Sequence, residues 1–208
     1  KAMEETLMYW GVPKILHLAT HGFFLENRPI DFKNNNVINR GFSLQEPTDQ
    51  IISPSPISVD TENPLLRSGI VLAGANKILN TENDTISDGI VTSEEILGMN
   101  LRGTEMVVLS ACDTGLGEVK NGEGVFGLRR AFTQAGAKSL VMSMWKVPDK
   151  ETKELMVNFY NNIYKKGMNR SQALRQATLK QMQITKDRYK NKNPYFWGAF
   201  VFMGEPYL

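Results

Sequence analysis

The sequence predicts an α/β protein with a mostly parallel sheet flanked by helices on both faces. Three observations carry this. The apolar runs Lys14–Thr20 and Met106–Ala111 each end in a polar, glycine-bearing turn, as buried parallel strands do. Stripes with helical spacing separate the later runs, so strands alternate with helices. The 208 residues, 41% hydrophobic and 22% charged, suffice for one substantial core and are short for two.

In chain order, Lys14–Thr20 is a buried strand bounded by Pro13 and by His21-Gly22. Residues 26–64 are polar, rich in Asn and Ser, and carry Pro29, Pro47, Pro54, Pro56 and Pro64 without periodicity. This is a long polar loop or insertion within a single domain spanning 1–208. Gly69–Ala73 is a second buried strand. Ile78–Val91 reads as a hairpin around the turn-rich Asn80–Gly89. Thr92-Ser93-Glu94-Glu95 opens a helix with a hydroxyl cap and first-turn acids suited to the helix dipole. Met106–Ala111 is the next strand, and Glu123–Ala135 a helix stopped by Gly136. Ser139–Trp145 is a strand, and Asp149 caps a helix whose stripe is Leu155, Met156, Phe159, Tyr160, Ile163 and Tyr164. Ser171 caps a last helix to about residue 186, and Trp197–Met203 closes the sheet. Right-handed crossovers are expected between the parallel strands.

Composition excludes several classes of function. A net charge of +2 gives no reason to invoke nucleic acid or a membrane surface. No apolar run approaches the roughly 20 residues needed to span a bilayer, and the N-terminus lacks the pattern of a signal peptide. The first residue is Lys rather than Met, as in a piece of a longer polypeptide. A single cysteine, Cys112, forms no internal disulfide, which fits a free thiol in a reducing, cytoplasmic compartment. One Cys and two His at these spacings make no metal constellation, and no cofactor is implied.

The chemistry lies where two strands end. ILHLATHG delivers His21, and MVVLSACDTGLG delivers Cys112, each at the carboxyl end of its strand. Active sites in open α/β sheets are built there. A thiol becomes a useful nucleophile when a neighbour takes its proton, and imidazole suits that work near neutral pH. The N–H groups of Gly22 and Cys112 are available in kind for a developing oxyanion. A lone cysteine is most often a small core hydrophobe, but Ser110, Asp113, Thr114, Gly115 and Gly117 set this one at a polar rim. His17 sits mid-strand and reads as a hydrogen-bonded core residue, whereas His21, in the turn before Gly22, reads as the base. Gly122-Glu-Gly-Val-Phe-Gly127 fits the dinucleotide glycine pattern, with Asp149 further on. It fails on detail, because the Cys112 loop intervenes and Glu123 would oppose a pyrophosphate. Its glycines read instead as tight packing against the cysteine strand. Tyr195-Phe196-Trp197, with Phe200 and Phe202, reads as core, since no basic cluster accompanies it.

These blocks together resemble the CHAT family of caspase- and separase-like peptidases associated with tetratricopeptide repeats. The likeness runs from about Ile15 to Pro206. It rests on HLATHG, VVLSACDTGLG, GEGVFGLRRAFTQAGAKSLVMSMWKV, the Phe159-Tyr160 pair, ALRQA and NPYFWGAFVFMG. It implies a caspase-hemoglobinase-like fold, His21 as general base, Cys112 as nucleophile, and Gly22 and Cys112 as oxyanion donors. It implies a protein substrate and a repeat-type sensor domain or partner, in bacterial defence or regulated cell death. In such a fold the strand after the cysteine strand walls the primary pocket, which points to Ser143, Met144 and Trp145, with Asp113, Glu123 and Asp149 as nearby acids. An acid on the pocket floor would select Arg or Lys; otherwise the pocket is apolar, around Met144 and Trp145. A cysteine endopeptidase is the reading adopted. A catalytically silent scaffold and a non-peptidase thiol hydrolase stand as alternatives.

Overall fold

The computed structural model describes residues 4–9, 11–24, 64–75, 88–111 and 123–207. A short helix α1 (Glu4–Tyr9) leads into β1 (Ile15–Phe24). A 3-10 turn (Pro64–Arg67) precedes β2 (Ser68–Val71), and β3 (Ile90–Thr92) runs straight into α2 (Ser93–Gly98). Then come β4 (Met106–Ala111), α3 (Glu123–Gln134), β5 (Ser139–Ser143), α4 (Asp149–Tyr164) and α5 (Arg170–Tyr189). A second 3-10 turn (Pro194–Phe196) leads to β6 (Phe200–Gly204).

The described strands form one sheet in the order β3-β2-β1-β4-β5-β6. Its centre is parallel, with β4 between β1 and β5. Its flanks are antiparallel: β2 on β1, β3 on β2, and β6 on β5. The α/β class is as predicted, and the parallel character is concentrated in the three central strands. Val107 and Leu109 of β4 join a core with Leu128, Ala131 and Phe132 of α3 and Ile96 of α2. Met106 and Val108 join a second core with Leu155, Phe159 and Ile163 of α4 and Ala173, Leu174 and Ala177 of α5. Helices therefore cover both faces, which is why β4 reads as an unbroken apolar run.

Several boundaries differ from the sequence reading. β1 extends to Phe24 rather than stopping at Thr20, because residues 21–24 find a partner in β2. β5 ends at Ser143 rather than Trp145, and β6 begins at Phe200 rather than Trp197, after a 3-10 turn over Pro194–Phe196. The cap of α4 is Pro148, without a side-chain hydrogen bond; Asp149 is an exposed first-turn acid instead. The cap of α5 is Asn169, whose side chain accepts from the Gln172 N–H at 2.9 Å, not Ser171. At α2 the reading holds. Thr92 accepts from the Glu95 N–H at 3.2 Å while the Glu95 carboxylate takes the Thr92 N–H at 2.7 Å, a reciprocal capping box. All but Pro64 of the predicted loop or insertion 26–64, and most of the predicted hairpin Ile78–Val91, lie outside the described residues. The described end of that hairpin, β3, pairs with β2.

Candidate active site

The site is set by a change of partner within β1. From Ile15 to Thr20 the strand pairs in parallel with β4, ending on Thr20 opposite Ala111. From His21 to Phe24 it pairs antiparallel with β2, His21 opposite Val71 and Gly22 opposite Ile70. The Thr20 hydroxyl donates to the Val71 carbonyl, tying the two partners together at the crossing point. His21 is therefore in a strand and not in a turn, one residue past the last described pair with β4. Cys112 follows Ala111 in sequence as His21 follows Thr20.

Alternation along β1 places His17, Ala19 and His21 on one exposed face, while Leu18 and Gly22 are buried. The two histidines thus share a face, separated by four residues, about 13 Å at strand spacing. His17 is hydrogen-bonded, as expected, but it is exposed and not a core residue. Its Nδ1 lies 3.0 Å from the Tyr160 hydroxyl, with ring centroids 5.7 Å apart. Desolvation lowers the His17 pKa and pushes Tyr160 up to about 12, with the neighbouring Tyr164 adding to the latter. Tyr160 is thus a protonated phenol at neutral pH, able to donate to Nδ1 and leave the imidazole proton on Nε2.

At the same end of the sheet, Ser143 is buried and Met144 and Trp145 are half-buried beyond β5. The Met144 N–H donates to the Ala199 carbonyl at 2.9 Å, and the Trp145 indole N–H donates to the Tyr195 carbonyl at 3.1 Å. Asp149 is exposed at the start of α4, and Glu123 is the first residue of α3. The parallel centre thus brings His21, the end of β4 and Ser143–Trp145 to one edge. Cys112, Asp113 and the side chain of Glu123 lie outside the described residues. Among the described residues, no group of three or more His, Cys, Asp or Glu is placed to hold a metal ion. No described helix is long and apolar enough to cross a membrane.

Two residues of this region escaped the sequence reading. The sequence places Tyr160 in the α4 stripe alone, whereas it meets His17 across the sheet face. The sequence reads Tyr195 as core, whereas its ring is exposed and its carbonyl holds Trp145. The Asn193-Pro194 turn signal was the available clue to the second; nothing local pointed to the first.

A mixed six-stranded sheet with a parallel centre, helices on both faces and the histidine strand beside the cysteine strand defines a caspase-like α/β protein. The family model described as CHAT domain matches residues 1–205, and the chain belongs to that family, which includes caspase-like peptidases. It is also similar to Tetratricopeptide repeat protein 28 of Homo sapiens, 29% identical over 115 residues, and of Mus musculus, 28% identical over 115 residues. Each alignment covers 55% of this chain and 4% of the relative, so the chain spans a small fraction of those proteins.

Proposed function

We propose that the chain is a cysteine endopeptidase in which His21 takes the proton of Cys112 and the thiolate attacks a peptide carbonyl. The observation that carries this is the β1–β4 register. Thr20 faces Ala111, and the proposed base and nucleophile are the next residues in sequence, His21 and Cys112. In sequence Cys112 lies two residues after Ser110 and four after Val108, the residues opposite Ala19 and His17 on the face that carries His21. Adjacent parallel strands lie about 4.8 Å apart, within reach of an imidazole and a thiol. The N–H groups of Gly22 and Cys112 are the proposed oxyanion donors. The pocket is proposed to be apolar around Met144 and Trp145, because Asp149 sits exposed at a helix start, where it favours the dipole.

The substrate is a protein, and the setting is a cytoplasmic defence or cell-death response, as the family resemblance suggests. A repeat-type sensor domain or partner would control activity; the relatives, named for tetratricopeptide repeats, support this. A proteome-wide comparison of new N-termini between active protein and Cys112→Ala tests the reaction. Cleavages confined to the active protein, without a preference for Arg or Lys before the scissile bond, are expected. Identical N-termini in both samples would remove the peptidase reading. For the sensor, equal kcat and KM with and without the repeat-bearing protein would place control elsewhere.

A further inference from the structure

Trp145 is the wall of the proposed peptide cleft, and a continuous set of contacts runs from its indole to a buried carboxylate in α4. The indole N–H donates to the Tyr195 carbonyl at 3.1 Å. Tyr195 lies in the Pro194–Phe196 turn, where the Asn193 side chain accepts the Tyr195 N–H at 3.0 Å and the Gly198 N–H donates to the Pro194 carbonyl at 2.7 Å. A β-carbon at Gly198 would stand 3.1 Å from that carbonyl oxygen and 3.7 Å from Trp145 Cη2, so glycine lets the chain double back beside the indole. Phe196 stacks on Tyr189 at 4.6 Å between centroids, and Tyr195 meets Phe196 edge-on at 5.2 Å.

Tyr189 is the last residue of α5, a position that ordinarily frays. Here its hydroxyl donates to Glu151 Oε1 at 2.7 Å. The same oxygen receives Arg188 at 2.5 Å, and the other Arg188 nitrogen pairs with Glu154 at 2.7 Å. Glu151 is only 1% exposed, so two charge-assisted donors converge on a carboxylate that has little water to fall back on. Lys190, at φ 56°, then turns the chain out of the helix. The end of α5 is thereby pinned to the first turn of α4, and the aromatic turn is pinned to the end of α5.

We infer that Glu151 and Tyr189 are positioning residues for peptide binding, setting the pose of Trp145 through Phe196 and the Pro194–Phe196 turn. The inference rests on the peptidase reading. It assigns these residues an effect on substrate affinity and none on the thiol chemistry, because the path ends at the cleft wall and does not reach His21.

The test uses the 208-residue chain and saturable labelling of Cys112 by a panel of peptidyl acyloxymethyl ketones, which separates binding (KI) from chemistry (kinact). For Trp145→Ala and Tyr189→Ala, KI should rise about tenfold with kinact within about twofold. Their double variant should be no worse than either single, since both remove one unit. Tyr164→Ala, exposed on the same helical layer and off the path, should leave KI unchanged and combine additively. Tyr189→Phe and Glu151→Gln keep the ring stack and should raise KI by a smaller factor; they carry the test where Tyr189→Ala does not fold. Additive effects on KI, or a parallel loss of kinact and thermal stability, would overturn the inference. Iodoacetamide labelling of Cys112 separates the two failures. Labelling that ignores His21→Ala removes the peptidase reading and this one with it; His21-dependent labelling with additive KI effects removes this one alone.

Discussion

Two histidines on one strand face are distinguished by what each can reach. His17 is held by Tyr160, about 13 Å along the strand from His21, and cannot share a proton with a group at the strand end. Its pKa is lowered by desolvation from the ordinary 6.5, so the unfolded chain binds a proton there more readily than the folded one. Stability contributed by this depression is fully present above about 6.5 and is lost as the pH falls through the lowered value. The denaturation midpoint of the wild type should therefore drop more steeply below about pH 6.5 than that of His17→Gln. Equal slopes would show that His17 titrates alike in both states. For the proposed dyad, Cys112→Ala, His21→Ala and the double variant should all lose peptide cleavage to about the same degree, because members of one catalytic unit are not additive. Turnover retained by purified Cys112→Ala would refute the assignment.

At the scale of elements, a glycine shows how a local motif and its structural use diverge. Gly127 ends the dinucleotide-like pattern, and its expected role was packing against the cysteine strand. It packs instead against β2 and α2: a β-carbon there would lie 2.6 Å from Ser68 Oγ, which is hydrogen-bonded to Ser93 Oγ at 2.7 Å. In an open helix, Gly→Ala would add about 1 kcal/mol of stability. Here Gly127→Ala should lower the melting temperature, because it breaks into a buried hydroxyl pair. Adding Ser68→Ala should recover most of the loss, since the nearest Ser68 atom to the new methyl is then Cβ, at 3.7 Å. A Gly127→Ala protein as stable as the wild type would contradict this packing. The helix caps carry a related lesson. Asn169 and Ser171 are both capping residue types two positions apart, and it is Asn169 whose side chain accepts a first-turn N–H, that of Gln172.

At the scale of the whole molecule, Arg170 joins the α4–α5 layer to the base of the sheet. It is fully buried; its guanidinium pairs with Glu105 at 2.6 Å and donates to Ser139 Oγ at 3.3 Å and to the Glu205 carbonyl at 3.2 Å. Its backbone N–H donates to Pro206 at 2.8 Å. Three segments distant in sequence thus close on one side chain at the end of the sheet opposite the candidate site. Glu105→Gln leaves the guanidinium buried without its counter-charge and should cost about 3 kcal/mol, read as a shift of the urea midpoint with an unchanged slope. Labelling of Cys112 by small thiol reagents should persist in that variant under native conditions, since the two ends of the sheet are built separately. A loss of labelling without a loss of stability would show that Arg170 acts on the site itself.

The sequence by itself determined the α/β class, the span of the cysteine strand and the hydroxyl cap of α2. Each is written locally, in the length of an apolar run, the spacing of a stripe, or a hydroxyl placed just before first-turn acids. The tertiary structure alone decided that β1 changes partner after Thr20, that His17 meets Tyr160 143 residues away, and that Tyr195, once read as core, holds Trp145. It also moved two helix caps. The change of partner and the Tyr160 and Tyr195 contacts rest on hydrogen bonds and packing between residues far apart in the chain, and a local pattern holds no record of which distant group will satisfy a given donor.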